Sequence, residues 1–248
     1  RPITYNGSTD YDMFCYLYHL LTLNKRIAMM CSSITEVKTI ILLLKDLLPT
    51  KRIKCYTGAD ADKDDSGLNQ RQLKLEDFSK GLNNVFTEQQ PDLLIYTGTL
   101  TSGVSIDIDY FDHFIGCLFA NTTDVLSFVQ SIHRVRAIRS KTVEIYFHHI
   151  RSYLPTTIGQ INLALKLQNY NINEIKVHVE TLLQARSNAM KVYSSELLLT
   201  HLNRMGYNIT IEDESVAYNC PVSRDDFRNT KVDVNPKKQV KKILETFI

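Results

Sequence analysis

Two stretches of this chain carry side chains suited to phosphate and ribose. The first, "TGTLTSGVSID" from Thr97 to Asp107, follows the apolar run "DLLIYT" and begins almost entirely with Thr, Ser and Gly. Short hydroxyls and open backbone N–H groups at a strand end can bond phosphate oxygens without reading base identity, although the same residues also build ordinary turns. The second, "QSIHRVR" from Gln130 to Arg136, ends with two arginines. A guanidinium aimed at a transferring γ-phosphoryl group can be worth about 10³–10⁵ in rate. The plain alternative is a solvated helix end, where basic residues suit the dipole. On a helix running through both, Arg134 and Arg136 stand about 200° apart, so one can face an anion while the other pairs elsewhere.

Other strand ends offer similar donors. Ser32 and Ser33 follow "RIAMMC", and Thr57 and Gly58 follow "RIKCY". Each hydroxyl can equally cap a turn. Lys237, Lys238, Lys241 and Lys242 give the tail a basic face, which is more often simply solvated. The acidic loop from Asp60 to Asp65 lacks the glutamate and glycine positions of a calcium loop. His148 and His149 alternate faces on a strand and form no two-ligand site. No metal site is expected. No GxxxxGK[ST] phosphate loop occurs, nor an apolar strand ending in Asp-Glu.

These residues sit in alternating apolar runs and helical patterns. Strands are expected at 26–31, 52–57, 92–97, 113–120 and 142–149. Helices are expected at 35–48 (with Thr35 as cap), 69–82 (ended by Gly81) and 124–138. Such alternation predicts an α/β fold, a mostly parallel sheet with helices on both faces. Ligands in such folds gather outside the C-terminal strand ends, where "TGTLTSG" falls. Residues 1–23 read as a leading segment containing a helix, 24–152 as the α/β domain, and 153–248 as a mainly helical accessory region with one strand-like run at 208–213.

Composition narrows the classes. The net charge of +2 leaves any nucleic-acid role to local patches. The five cysteines form no CxxC pair, which argues for reduced thiols in an intracellular compartment, with Cys31 and Cys117 in the core. The longest apolar run is broken by Lys45 and Asp46, so no membrane partner is expected. The start lacks methionine, and the chain reads as a fragment or processed product.

The order of segments is similar to the second RecA-like domain of superfamily 2 helicases. "TGTLTSGVSID" resembles their motif V, "QSIHRVR" their motif VI and "IAMMCSSITEV" their motif IV. More narrowly, the pair resembles the herpesvirus origin-binding protein family. Thr97, Thr101, Gly103, Ser105 and Asp107 match its motif V, and Gln130, Ser131, Arg134, Val135 and Arg136 its motif VI. Two positions depart: Ser105 stands where most superfamily members have aspartate, and His133 stands in place of glycine. The likeness covers roughly residues 24–150.

The resemblance implies an ATP-dependent DNA helicase domain acting in replication, in a virus or mobile element. Arg136 is implied as the arginine finger, Arg134 as a second phosphate or bridging contact, and Gln130 as a further catalytic residue. Gly103 with Ser105 or Asp107 is implied at the ATP. Ser32, Ser33, Thr57, Thr97, Thr99 and Thr101 are implied along single-stranded DNA. ATP and Mg would be held mainly by a first RecA-like domain lying before Arg1, so this part is expected to be inactive in isolation. That domain and single-stranded DNA are the implied partners, with replication proteins such as primase or single-strand-binding protein beside them. The competing expectation is a RecA-like module kept for nucleic-acid or protein binding, without catalysis.

Overall fold

A computed structural model describes residues 2–6, 10–58, 76–100, 104–120, 122–148, 154–167, 175–212 and 218–234. Seven strands form one parallel sheet: β1 (Pro2–Asn6), β2 (Ile27–Cys31), β3 (Ile53–Tyr56), β4 (Leu93–Tyr96), β5 (His113–Phe119), β6 (Val143–His148) and β7 (Asn208–Glu212). Their order is β3-β4-β2-β5-β6-β1-β7, and every pairing is parallel. The α/β class and parallel sheet expected from the sequence are what the structure has.

The helices are α1 (Asp10–Thr22), α2 (Ile34–Leu47), α3 (Leu82–Gln89), α4 (Val125–Ile132), α5 (Ile158–Leu167), α6 (Ile175–Val192), α7 (Ser194–Arg204) and α8 (Arg224–Asp233). Successive strand residues point to opposite faces, so a strand covered on both sides is apolar at every position. On one face Ala28, Met30, Leu94, Tyr96, Phe114 and Ile145 pack with residues of α3, α4 and α7. On the other, Ile27, Met29, Leu93, Ile95, Ile115 and Tyr146 pack with α1, α2 and Phe227 of α8. Cys31 and Cys117 are both buried, register neighbours on β2 and β5, and remain free thiols.

Four local expectations are corrected. The leading segment contains a strand: β1 lies between β6 and β7, and Ile3 pairs with both Val143 and Ile209. The sheet therefore runs across both boundaries drawn from the sequence, at 23/24 and 152/153. Helix α2 is capped by Ser33, not Thr35; the Ser33 side chain accepts from the Glu36 N–H at 3.3 Å. Gly81, at φ 81°, ends the helical residues 76–80 as expected, but α3 starts immediately after it and was not foreseen. Finally, α4 stops at Ile132 rather than running to 138.

Candidate nucleotide and nucleic-acid site

The early end of α4 decides the geometry of the arginines. At the start of α4, Asp124 caps the helix by accepting from Ser127 N–H at 2.9 Å and from its hydroxyl at 2.6 Å. At its end, the Tyr96 hydroxyl of β4 donates to the Ser131 carbonyl at 2.8 Å, tying the helix to the strand before the Thr/Ser/Gly loop. After a turn at His133 and Arg134 the chain pairs in parallel with residues following that loop. Ile106 N–H donates to the Arg134 carbonyl at 2.7 Å, and Arg136 N–H donates to the Ile106 carbonyl at 2.9 Å. A second bridge joins Phe111 and Ile138. Ile106, Val135 and Phe111 are wholly buried, with Ile138 nearly so; this burial outweighs continued helix.

With Val135 buried between them, Arg134 and Arg136 border the same pocket, correcting the expectation that they diverge. Together with Gln130 they line one open pocket of about 600 Å³, whose far wall includes His201 and Met205. Arg134 Nη1 donates to the Val104 carbonyl at 3.4 Å, while its buried Nε has no partner among the described residues. Arg136 reaches Asp107, with Nη1 3.4 Å from Oδ1. Asp107 also accepts from the Ser105 hydroxyl at 2.6 Å, and its N–H donates to Asn83 Oδ1 of α3 at 3.2 Å. Ser105, Asp107 and Arg136 thus form one contiguous polar group.

His133 does not occupy the arginine pocket alone. Its Nδ1 lies 2.7 Å from the Val129 carbonyl and its Nε2 lies 2.5 Å from the Tyr207 hydroxyl. A carbonyl only accepts, which assigns the proton to Nδ1 and makes Nε2 the acceptor of the tyrosine O–H. The side chain that replaces glycine is thereby turned toward the region before β7.

The remaining hydroxyls are distributed differently. Ser32 Oγ accepts from the Phe119 N–H at 2.8 Å and from the Thr122 hydroxyl at 2.6 Å, and Ser33 is the cap of α2. Thr57 and Thr97 are buried, and Thr97 N–H donates to the Tyr56 carbonyl at 3.0 Å. Thr99 lies in a 3₁₀ turn, Gly98–Leu100. Its side chain, and Thr101 and Gly103 altogether, lie outside the described residues, as do the acidic loop, His149 and the lysine-rich tail.

Several neighbours escaped the sequence reading. Asn83, His201 and Tyr207 reach the site only through tertiary contacts. Arg139 is a clamp: it meets Asp109 at 3.1 Å and Asp112 at 3.2 Å, and donates to the Asp109 carbonyl at 2.9 Å. Hydrogen bonds to these two carboxylates raise its pKa above the ordinary guanidinium value.

Comparison with known proteins gives the class first. A protein of African swine fever virus (a Kenyan pig isolate), provisionally named a helicase/primase complex protein, is 28% identical over 138 residues. The match covers 56% of this chain and 12% of the relative. The same protein from a Malawian tick isolate is 26% identical over 140 residues, again 56% of this chain and 12% of that one. The chain is thus related to helicase-type replication proteins and spans a small part of their length. More particularly, residues 71–177 match the profile of the family described as "Origin of replication binding protein", so the resemblance drawn from the motifs is borne out. Among solved structures, the Mss116p DEAD-box helicase domain 2 bound to an RNA duplex aligns at a TM-score of 0.40 with 11% identity, over 82% of this chain and 78% of that one.

Proposed function

We propose that this chain is the second motor domain of an ATP-dependent DNA helicase acting in viral DNA replication. A first RecA-like domain would supply the phosphate loop and hold most of the ATP and Mg. The observation that carries the reading is the parallel bridge Ile106–Val135, which sets Asp107 and Ser105 beside Arg136 and Arg134. One carboxylate–hydroxyl pair suited to ribose then adjoins the Arg136 guanidinium, which shares a pocket with Arg134 and Gln130.

The chemistry expected of these residues is electrostatic. ATP brings the γ-phosphoryl group; Arg136 neutralises the charge that develops on it, with Arg134 as the second contact. The Asp107–Arg136 pair is open to solvent, with side chains 46% and 64% exposed, so Arg136 can exchange the carboxylate for a phosphate without uncovering a buried charge. Single-stranded DNA is the proposed second ligand, gripped through its backbone at the strand ends. A compartment with reducing thiol chemistry, the cytoplasm or nucleus of a host cell, suits five free cysteines.

The test is DNA-stimulated ATP hydrolysis by the whole protein, wild type against Arg136→Ala. The expected result is a loss of about 10³-fold or more in turnover with single-strand binding retained. Unchanged turnover transfers the finger role away from Arg136. Absence of any hydrolysis by the wild type, with DNA binding intact, replaces the motor by a binding module.

A further inference from the structure

A second cationic feature lies at the opposite end of α4 from Arg134 and Arg136. Between the β5–α4 connection and α6 runs an open cleft of about 430 Å³. One wall carries Thr122, Thr123 and the capping Asp124; the other carries Arg186, Ser187 and Lys191 of α6, with Leu183 and Met190 between them. The eight residues of α4 span about 12 Å, so the cleft and the arginines at 134 and 136 are separate places.

Helix α6 is divided cleanly between two roles. Thr181, Ala185 and Asn188 are its buried line, and Asn188 donates to the Pro155 carbonyl at 2.8 Å. Leu183, Ser187 and Met190 fall on the opposite side of the helix, toward the cleft. Arg186 has only Leu182, Leu183, Ala189 and Met190 at helical neighbour spacing, and Lys191 has only Ser187, Asn188, Ser194 and Ser195. Neither cation has an acid within reach along its own helix, and neither is in an ion pair among the described residues.

Facing them, the Thr123 hydroxyl has no partner among the described residues. Asp124 is the one carboxylate in the lining, and both its oxygens already accept from Ser127. Hydrogen bonding by Ser127, against the opposing effect of burial, keeps its pKa below 3.8. The cleft therefore presents two cations without an ion pair among the described residues, and the Thr123 hydroxyl, over an apolar floor. Through the Thr122–Ser32 hydrogen bond it is continuous with the C-terminal end of β2.

We propose that this cleft binds the phosphodiester backbone of single-stranded nucleic acid, with Arg186 and Lys191 as the phosphate contacts. The helical region after the sheet then forms part of the strand path. The proposal rests on the nucleic-acid half of the function proposed above. A backbone fits better than a free nucleotide, because the cleft is open rather than enclosed. Leu183 and Met190 offer contact to sugar and base faces without reading base identity.

The experiment is fluorescence anisotropy of a labelled oligothymidylate with this chain across a salt series. The variants are Arg186→Ala/Lys191→Ala, Asp124→Asn, and Arg52→Ala as a control before β3, at the other end of the strands. The double variant is expected to bind about 10-fold more weakly at low salt. Its log–log salt slope should be shallower by about 1.4, two contacts at roughly 0.7 each. Asp124→Asn keeps a good cap while removing the opposing charge, and should bind about 2-fold more tightly. If the double variant matches Arg52→Ala, the cleft is not the path, while the motor reading stands. If the folded wild type binds no oligonucleotide at low salt, both the cleft and the DNA half of the function fall.

Discussion

Asp107 and Arg136 meet at 3.4 Å across a backbone bridge made by the residues beside them, Ile106 and Val135. The backbone holds the two segments together, so the ion pair is not what fixes the fold. An ion pair this exposed contributes about 0–1 kcal/mol. Asp107→Ala is therefore expected to lower stability by less than about 1 kcal/mol in urea unfolding, while changing the ATPase of the whole protein strongly. A loss of several kcal/mol would show that the pair is structural rather than functional.

His133 joins the arginine segment to the region preceding β7. Tyr207→Phe removes one partly buried hydrogen bond and should cost about 1 kcal/mol. His133→Gly removes both ring contacts. A double-mutant cycle combining them is expected to return a coupling of about 1 kcal/mol, because both act on the same bond. Additive losses in denaturant titrations would mean that the 2.5 Å contact contributes nothing in solution.

Gly116 sits in the middle of β5 where α4 packs closest. A Cβ added there would lie 3.0 Å from Phe128 Cζ, 3.5 Å from Ile145 Cγ1 and 3.6 Å from Ile132 Cδ1. Gly116→Ala should therefore push α4 outward and destabilise the chain by about 1–3 kcal/mol. Thermal unfolding reads the change. Unaltered stability would show that the Phe128 ring turns aside freely.

Lys231 of α8 is held between Asp10 of α1 and the wholly buried Glu36 of α2. Burial alone would raise the pKa of Asp10, but Lys231 and His148 outweigh it and keep it below 3.8. Burial alone would lower that of Lys231, but Glu36 and Asp10 outweigh it and hold it above 10.5. The depressed acid contributes stability present above pH 3.8 and lost as pH falls through its folded value. The elevated lysine contributes stability present below pH 10.5 and lost as pH rises through its folded value. Lys231→Met removes the ammonium that these two carboxylates share and should cost about 3–5 kcal/mol at neutral pH. Urea titrations at neutral and acid pH check both points, the variant losing less than the wild type on acidification.

Ser33 was read as a nucleic-acid contact and is found capping α2. Ser33→Ala should cost about 1 kcal/mol, and Ser33→Asp should restore it, since aspartate caps equally well. Chemical denaturation of the three proteins measures this directly. Equal stability of all three would leave the hydroxyl available for another role.

Local chemistry was enough for much of this protein. Fully apolar runs such as "IAMMC" and "LLIY" need cover on both faces, which means a parallel sheet between helices. The two motif-bearing stretches, and their place after strands and beside α4, were also legible, because turn formers and arginines stand out against apolar periodicity. Three things were not. Helical spacing continues past Ile132 in the sequence, yet Val135 and Ile138 leave the helix because Ile106 and Phe111 offer them buried partners some 27 to 29 residues back in the chain. Strand β1 looks like a leading segment until β6 and β7 close around it, pairing Ile3 with Val143 and Ile209. And the arginines border one pocket only because of that early helix end. Residue order fixes periodicity within one element; which element a strand or an arginine meets depends on burial between segments far apart in the chain, and that is settled only when the whole sheet assembles.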